Sequence, residues 1–538
     1  MQLTFDPLKY QYPSTRRVVY GRRGMVCTTQ PLAAQAGLDM IKQGGNAVDA
    51  AVATAIAMTV LEPTSNGIGS DAFALVWTKD GRISGLNGSG FAPALATVSE
   101  FRSRGFEEVP PYGLLPVTVS GAPSTWSELS SKYGHLPFEK LFEPAIRYAE
   151  EGYPVQSATA YFWNRAFHLY QEKLTGEEFK SWFDTFAPGG QAPSPGELFR
   201  SPDHGRTLRE LAATHCESFY RGPIADQIDA FSRRYDGLIR KEDLAAFRAE
   251  WVTPIHTDYR GYDVWEMPPN GHGITALMAL NIVEGFDFTV RDHADTFHRQ
   301  MEAMKLAFSD GKRYIADPIA MEVSCEQLLS KDYAAKRRAL IGNEARMPEA
   351  GNPNCGGTIY LCTADGEGNM VSYIQSNFRG FGSGIVIPGT GISLQDRGNQ
   401  FTMDETSPNC IAPGKRPYHT IIPGFLSKDG QAVGPFGVMG GMMQPQGHLQ
   451  VLMNTIDFHL NPQQALDAPR WQWMSGKEIQ VERSFPWDIV EELMRRGHKI
   501  TMAPDSTPFG RGEIIWRDEN GVLMGATESR ADGYVAAW

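Results

Sequence analysis

The sequence predicts an α+β protein with a single intertwined core, and three observations carry that prediction. Its long first part reads as helices with one early hairpin, its last part reads as short β-type runs between Gly-rich turns, and no flexible linker separates the two. A chain that changes texture without a linker folds both textures into one unit.

The elements follow in order. Residues 25–29 form a short apolar strand, and Pro31 opens a helix through Ala34, Leu38 and Ile41 that Gly44-Gly45 ends. Asn46 caps a second helix over 47–61, whose lone charge is Asp49; such a helix is buried on most sides before Glu62-Pro63 stops it. The loop from Asn66 to Phe73 leads into a strand over 72–78, and Gly81 turns it into a second strand ending at Leu86. Residues 124–340 read as predominantly helical, with amphipathic stretches at 138–152 and 294–313 and a Pro/Gly-rich surface segment at 187–197. From Thr358 onward, β runs are expected at 359–364, 370–376, 385–387, 419–426 and 432–439.

Composition narrows the function classes. With 42% hydrophobic and 21% charged residues and a mean hydropathy of -0.32, the chain is neither disordered nor membrane-spanning. Its 50 Lys and Arg against 62 Asp and Glu give a net charge of -12, so a nucleic-acid partner is not expected. The Arg16-Arg17 and Arg22-Arg23 pairs read as a solvated N-terminal arm. The start carries no basic segment followed by an apolar one, and no apolar run is long enough to span a bilayer, so a cytoplasmic protein without membrane association is expected. Six cysteines with no C-x-x-C pair match neither a disulfide framework nor a zinc site.

Several chemistries are eliminated by spacing. Gly380, Gly382 and Gly384 resemble a dinucleotide fingerprint, but Ile387 stands where its last glycine belongs and no helical pattern follows. His293 and His298 are five apart rather than four, no H-E-x-x-H occurs, and neither metal nor cofactor is expected. No G-x-S-x-G elbow is present.

What remains is Gly356-Gly357-Thr358, where a strand starts directly after the loop 351–357. If Ala364 pairs with Met370, Thr358 lies opposite Ser376; a turn one residue tighter puts Gln375 there instead. A threonine beside a hydroxyl, with no histidine base, is the arrangement in which the nucleophile's own α-amine acts as base. Cleavage creates that amine: attack of the Thr358 hydroxyl on the Gly357 carbonyl gives an ester, and hydrolysis frees the amino group. An α-amine titrates near 7.7–8, so much of it is neutral at ambient pH. Gly440-Gly441, at the end of an apolar strand, offers two N–H groups to a developing oxyanion.

At these residues the sequence resembles the γ-glutamyltransferase family of N-terminal-nucleophile hydrolases, in particular its γ-glutamyltransferase-like and cephalosporin-acylase-like bacterial branch, which includes oxamate amidohydrolase. The likeness spans nearly the whole chain: Gln30 to Ala33, Gly44 to Ala51, Asn66 to Phe73, Pro268 to Gly273, Glu302 to Phe308, Gly357-Thr358, Phe381 to Gly384, Lys415 to Pro417 and Gly440-Gly441. It implies a four-layer αββα sandwich made from a proenzyme, with a large chain 1–357 and a small chain 358–538, and with a homodimer of such pairs left open. It also implies that Ser376 supports the nucleophile and that Gly440 and Gly441 form the oxyanion site.

The implied activity is self-processing, followed by hydrolysis or transfer at γ-glutamyl or related amide bonds, as in glutathione metabolism. The positions that correspond to the family's substrate pocket depart from its pattern. Ser89 stands where an arginine grips the α-carboxylate, Gln400 where an acid meets the α-amine, His419-Thr420 where serines pair, and Phe378, with Asn377 beside it, where an asparagine sits. Arg379 and Arg397 lie near these positions in sequence, which suits a small acid amide such as oxamate. An unprocessed, catalytically silent binding protein is the reading from another class.

Overall fold

Alternation along one strand dictates the architecture. On the strand Gly357–Asp365, Ile359 and Leu361 pack with the helix Ala47–Leu61, while Tyr360, Cys362 and Ala364 pack with Phe425 and Ile515 on the other face. A strand apolar on both faces needs cover on both, so its sheet has to be sandwiched.

The computed structural model, which describes residues 16–348 and 357–538, meets that demand with two seven-stranded sheets face to face. One runs Val19–Gly21, Leu523–Thr527, Arg511–Arg517, Gln431–Met439, Gly424–Lys428, Tyr262–Glu266, Ile255–Tyr259. The other runs Tyr534–Ala537, Gly24–Thr28, Gly357–Asp365, Met370–Phe378, Asp71–Trp77, Ile83–Gly88, Glu250–Val252. Neighbouring strands within both are antiparallel. Helices including Ala47–Leu61 and Ala122–Tyr133 cover the second sheet, and Gly273–Val283, Ala294–Tyr314 and Met443–Ile456 cover the first. This is the four-layer αββα sandwich. Each sheet draws strands from both sides of Gly357-Thr358.

Most local expectations hold. Asn46 caps Ala47–Leu61, accepting from the Val48 and Asp49 amides, while the Asp49 carboxylate accepts from Asn46, His135 and Leu136 amides. The one charge of a buried helix is thereby spent on backbone N–H groups. Four expectations do not hold in full. The stretch read as helical contains strands at Glu250–Val252, Ile255–Tyr259 and Tyr262–Glu266; the last two alternate with period two around Arg260 and Gly261, both at positive φ as a tight hairpin needs. The run 385–387 makes a single bridge, Val386 to Ser393, and the run 419–426 becomes strand only from Gly424, because His419 is bound instead to Asn270 and His272 backbone. The arginine pairs are solvated as expected at Arg17, Arg22 and Arg23, which are exposed, but they do not sit on a detached arm: the Arg22 and Arg23 amides donate to the Trp538 carbonyl, and Arg16 donates to the Glu528 carbonyl.

Cys27, Cys216, Cys325, Cys362 and Cys410 form no disulfide, and Cys355 lies outside the described residues, as does most of the loop 351–357. Among the described residues no helix is long and apolar enough to cross a membrane.

Candidate active site

Register builds the site. Ala364 pairs with Met370 and Ile359 with Gln375, so Thr358 falls opposite Ser376, with a β-bulge between Gly357 and Ile359. Ser376 in turn pairs with Asp71, and the Ala72–Gly88 pair places Ser89 one step beyond Asp71. Thr358, Ser376, Asp71 and Ser89 thus form a row across four adjacent strands, on the face turned toward the other sheet.

Within the row, Thr358 Oγ1 and Ser376 Oγ are 3.0 Å apart and both side chains are buried. Ser376 Oγ also accepts from the Phe378 amide at 2.8 Å. That second bond requires the chain to double back, and Phe378 sits at φ 73°, a conformation that a bulky side chain adopts only under constraint. The Arg397 guanidinium lies 4.7 Å over the Phe378 ring and holds it in place.

Asp71 is the electrostatic centre. Its carboxylate stands 3.4 Å from Arg397 Nε and 3.0 Å from His419 Nε2, all fully buried. The Ile421 amide donates to His419 Nδ1, so the ring proton sits on Nε2 and is donated to Asp71. Burial, followed by the nearby Arg397 charge, holds His419 well below its usual range, and it is therefore neutral. Burial also lifts the Asp71 carboxyl to about 7, against the pull of Arg397.

The opposite sheet supplies the paired glycines. Gly437 lacks the Cβ that would stand 2.5 Å from the Tyr360 ring, and this close approach brings the end of Gln431–Met439 over the Thr358 strand. Gly440 and Gly441 follow at φ 136° and 60°, just before the helix Met443–Ile456, and among the described residues neither amide has a hydrogen-bond acceptor. Two open N–H groups at a helix N-terminus suit a developing negative charge. A cleft of about 380 Å³ opens beside Gly440, walled by Thr64, Ser65, Tyr112, Arg379 and Arg511.

The structure sorts the remaining predicted residues. Ser89 is sealed, donating to Asn87 Oδ1; Thr420 accepts from Arg397; Asn377 is held between Ser70 and Ser393. Gln400 is half-buried at the end of the short helix Arg397–Gln400, and among the described residues no bond links its side chain to the Asp71 network. The two arginines part company: Arg379 lines the cleft, paired with Asp396 at 3.5 Å, whereas Arg397 is closed off behind Phe378. The environment of the Gly357 carbonyl lies at the limit of the described residues.

Sequence reasoning passed over Asp71 as a functional residue. The signal was there: Asp71, Phe73, Leu75 and Trp77 share one strand face, and an acid on an otherwise apolar face needs a reason.

Fold and site together define a two-sheet N-terminal-nucleophile hydrolase, with a threonine at the head of an inner strand, a supporting hydroxyl and paired glycines. Residues 33–538 match the gamma-glutamyltranspeptidase family, and the chain belongs to it. It is 34% identical to the glutathione hydrolase-like YwrD proenzyme of Bacillus subtilis, over 96% of this chain and 98% of that one. It is 33% identical to the oxamate amidohydrolase proenzyme of Klebsiella pneumoniae, again over 96% and 98%. Among solved structures, a cephalosporin acylase from Bacillus halodurans superposes with a TM-score of 0.95 at 61% identity, over 100% of this chain and 99% of that one.

Proposed function

We propose that the chain is a proenzyme that cuts itself between Gly357 and Thr358 and then hydrolyses or transfers the acyl group of a small amide through an acyl-Thr358 ester. The observation that carries this reading is the 3.0 Å contact between Thr358 and Ser376, together with two glycine amides at the end of the facing sheet's strand that have no acceptor among the described residues. In the precursor, Thr358 Oγ1 attacks the Gly357 carbonyl, and water then releases Gly357 as a carboxylate and Thr358 as a free amine. In turnover, that amine takes the hydroxyl proton, Oγ1 attacks the substrate carbonyl, and the oxyanion is held by the Gly440 and Gly441 amides. The protonated amine then gives its proton to the leaving nitrogen. Water or an amine acceptor attacks the ester to close the cycle.

The substrate is an amide whose acyl part carries a carboxylate. Support comes from Arg165, Arg379 and Arg511 on the cleft wall, the cations a bound carboxylate would meet beside Gly440. Ser89, sealed from the cleft, offers no ionic grip on a γ-glutamyl α-carboxylate, so oxamate-like and dicarboxylate monoamides are favoured over γ-glutamyl compounds.

Denaturing electrophoresis with N-terminal sequencing tests the first half: two bands are expected, the smaller beginning at Thr358. Mass spectrometry of the small chain after exposure to a panel of amides tests the second, with an acyl group on Thr358 from carboxylate-bearing amides as the expected result. A persistent single band, with Thr358 unmodified, would instead favour the silent binding protein.

A further inference from the structure

A second cavity, of about 590 Å³, lies on the outer helical layer over the first sheet, between the helices Ala294–Tyr314 and Lys331–Arg338. Its charge is lopsided. Lys305, Lys312, Arg313, Arg337 and Arg346 line it, against Glu302 and Asp310 alone.

Two of those cations are spoken for. Lys305 Nζ donates to Glu302 Oε1 at 2.7 Å and approaches His498 Nδ1 at 3.4 Å, and Arg337 Nε stands 3.0 Å from Asp310. The Lys305 ammonium also explains why His298, Glu302 and His498 converge without inviting a metal. His298 Nε2 donates to the Gly342 carbonyl, so its Nδ1 accepts from His498 Nε2–H, and His498 Nδ1 then faces the ammonium; this chain is complete as it stands. Subtracting the two pairs leaves Lys312, Arg313 and Arg346 without an ion-pair partner among the described residues.

Lys312 is the informative one. Its Nζ is withdrawn from solvent yet has no hydrogen-bond partner among the described residues, and its neighbour is the Trp473 ring 5.6 Å away. Burial alone pulls its pKa down to about 8. A buried ammonium left without an acceptor costs stability, and here it is held in a chain whose net charge is -12. Arg313 and Arg346 stand at the exposed mouth of the same cavity, where a planar guanidinium can take two oxygens at once. Leu306, Tyr314 and Met347 supply an apolar wall beside them.

We propose that this cavity is a binding site for a small multivalent oxyanion, with Lys312 as its inner contact and Arg313 and Arg346 as its outer ones. It is separate from the Thr358 site and independent of that chemistry. The shared ligand chemistry is two or more anionic oxygen groups within one small molecule, supplied by a phosphate ester or by a polycarboxylate.

Calorimetric titration of the full chain with pyrophosphate, and separately with citrate, at near-physiological salt (about 150 mM) tests it. Saturable one-to-one binding of at least one of them is expected, weakened about tenfold or more in Lys312→Gln and Arg346→Gln and retained in Lys312→Arg. Tighter pyrophosphate binding assigns the site to phosphate esters, tighter citrate binding to polycarboxylates. Ligand-free Lys312→Met is expected to melt at or above the wild-type temperature, since it removes a buried charge that has no hydrogen-bond partner among the described residues. The proposal is overturned if neither anion saturates, if Lys312→Gln binds as tightly as wild type, or if Lys312→Met loses stability and so marks Lys312 as a structural strut.

Discussion

The layer between the two sheets has an apolar end and a polar end, built from the same strands. At one end Met25, Cys27, Leu75, Trp77, Cys362, Ala364, Met370 and Phe425 pack together, and the one acid beside them, Glu513, is pushed by burial well above the usual carboxylate range. At the other, the same strands present Thr358, Ser376 and Asp71, with Ser89 completing the row and His419 and Arg397 closing over it. The apolar end locks the sheets together. The polar end gathers a buried carboxylate paired with an arginine, a neutral histidine and a phenylalanine at positive φ. Chemistry arises where the strict alternation is broken at the strand ends, and the apolar end is what makes that break tolerable.

If this division is right, substitutions at the two ends should fail in different ways. Thr358→Ala is expected to stop processing and lower hydrolysis by roughly 10⁴-fold or more, while the melting temperature moves little; electrophoresis, turnover and calorimetry on one preparation check it. A variant that is still cut at the same bond would remove Thr358 from its role.

Trp77→Ala makes the opposite cut. Trp77 stacks on Phe425 at 5.3 Å and is nearly closed to solvent, so its loss should cost about 3–5 kcal/mol of stability. Activity per folded molecule should survive. A drop in kcat at a temperature where the variant is fully folded would show the two ends to be coupled.

Gly440→Ala probes the paired glycines. The added Cβ would stand 3.0 Å from Gly510 Cα at a φ that side chains avoid, so the amide is expected to turn away and kcat to fall about 10²–10³-fold with KM little changed. An equal effect on KM alone would place Gly440 in binding rather than in oxyanion stabilisation.

The smallest effect concerns pH. Burial raises the Asp396 carboxyl to about 7, against the pull of Arg379 beside it. Below that pH Asp396 is neutral and the Arg379 charge is free for a substrate carboxylate; above it, Asp396 ionises and competes. KM for a carboxylate-bearing amide, taken relative to a neutral amide, should therefore rise between pH 6 and pH 8, by roughly two- to fivefold for a part-exposed cation. Arg379→Gln should flatten that ratio. Taking a ratio removes the titration of the Thr358 amine, which both substrates share.

Much of this was legible in the sequence because its causes are local. The cap at Asn46, the charge-poor helix behind it, the hairpin joining Ala364 to Met370 and the glycines after Met439 are each set by residues a few positions apart, and hairpin counting alone brings Thr358 to Ser376. The strands at 250–266 were also locally readable, from period-two alternation around Arg260-Gly261, but were lost within a long helical stretch. What only the tertiary structure decided are the relations between distant segments. Asp71 meets Arg397 and His419, more than three hundred residues away, because two separate sheets stack; nothing in the spacing of those residues encodes it. Arg379 and Arg397 are near neighbours in sequence and look interchangeable, yet one faces a cleft and the other is sealed behind Phe378, because the chain reverses at a residue with positive φ. The five cations of the outer cavity likewise lie on a helix, a second helix and a loop, and only packing shows which of them found a partner.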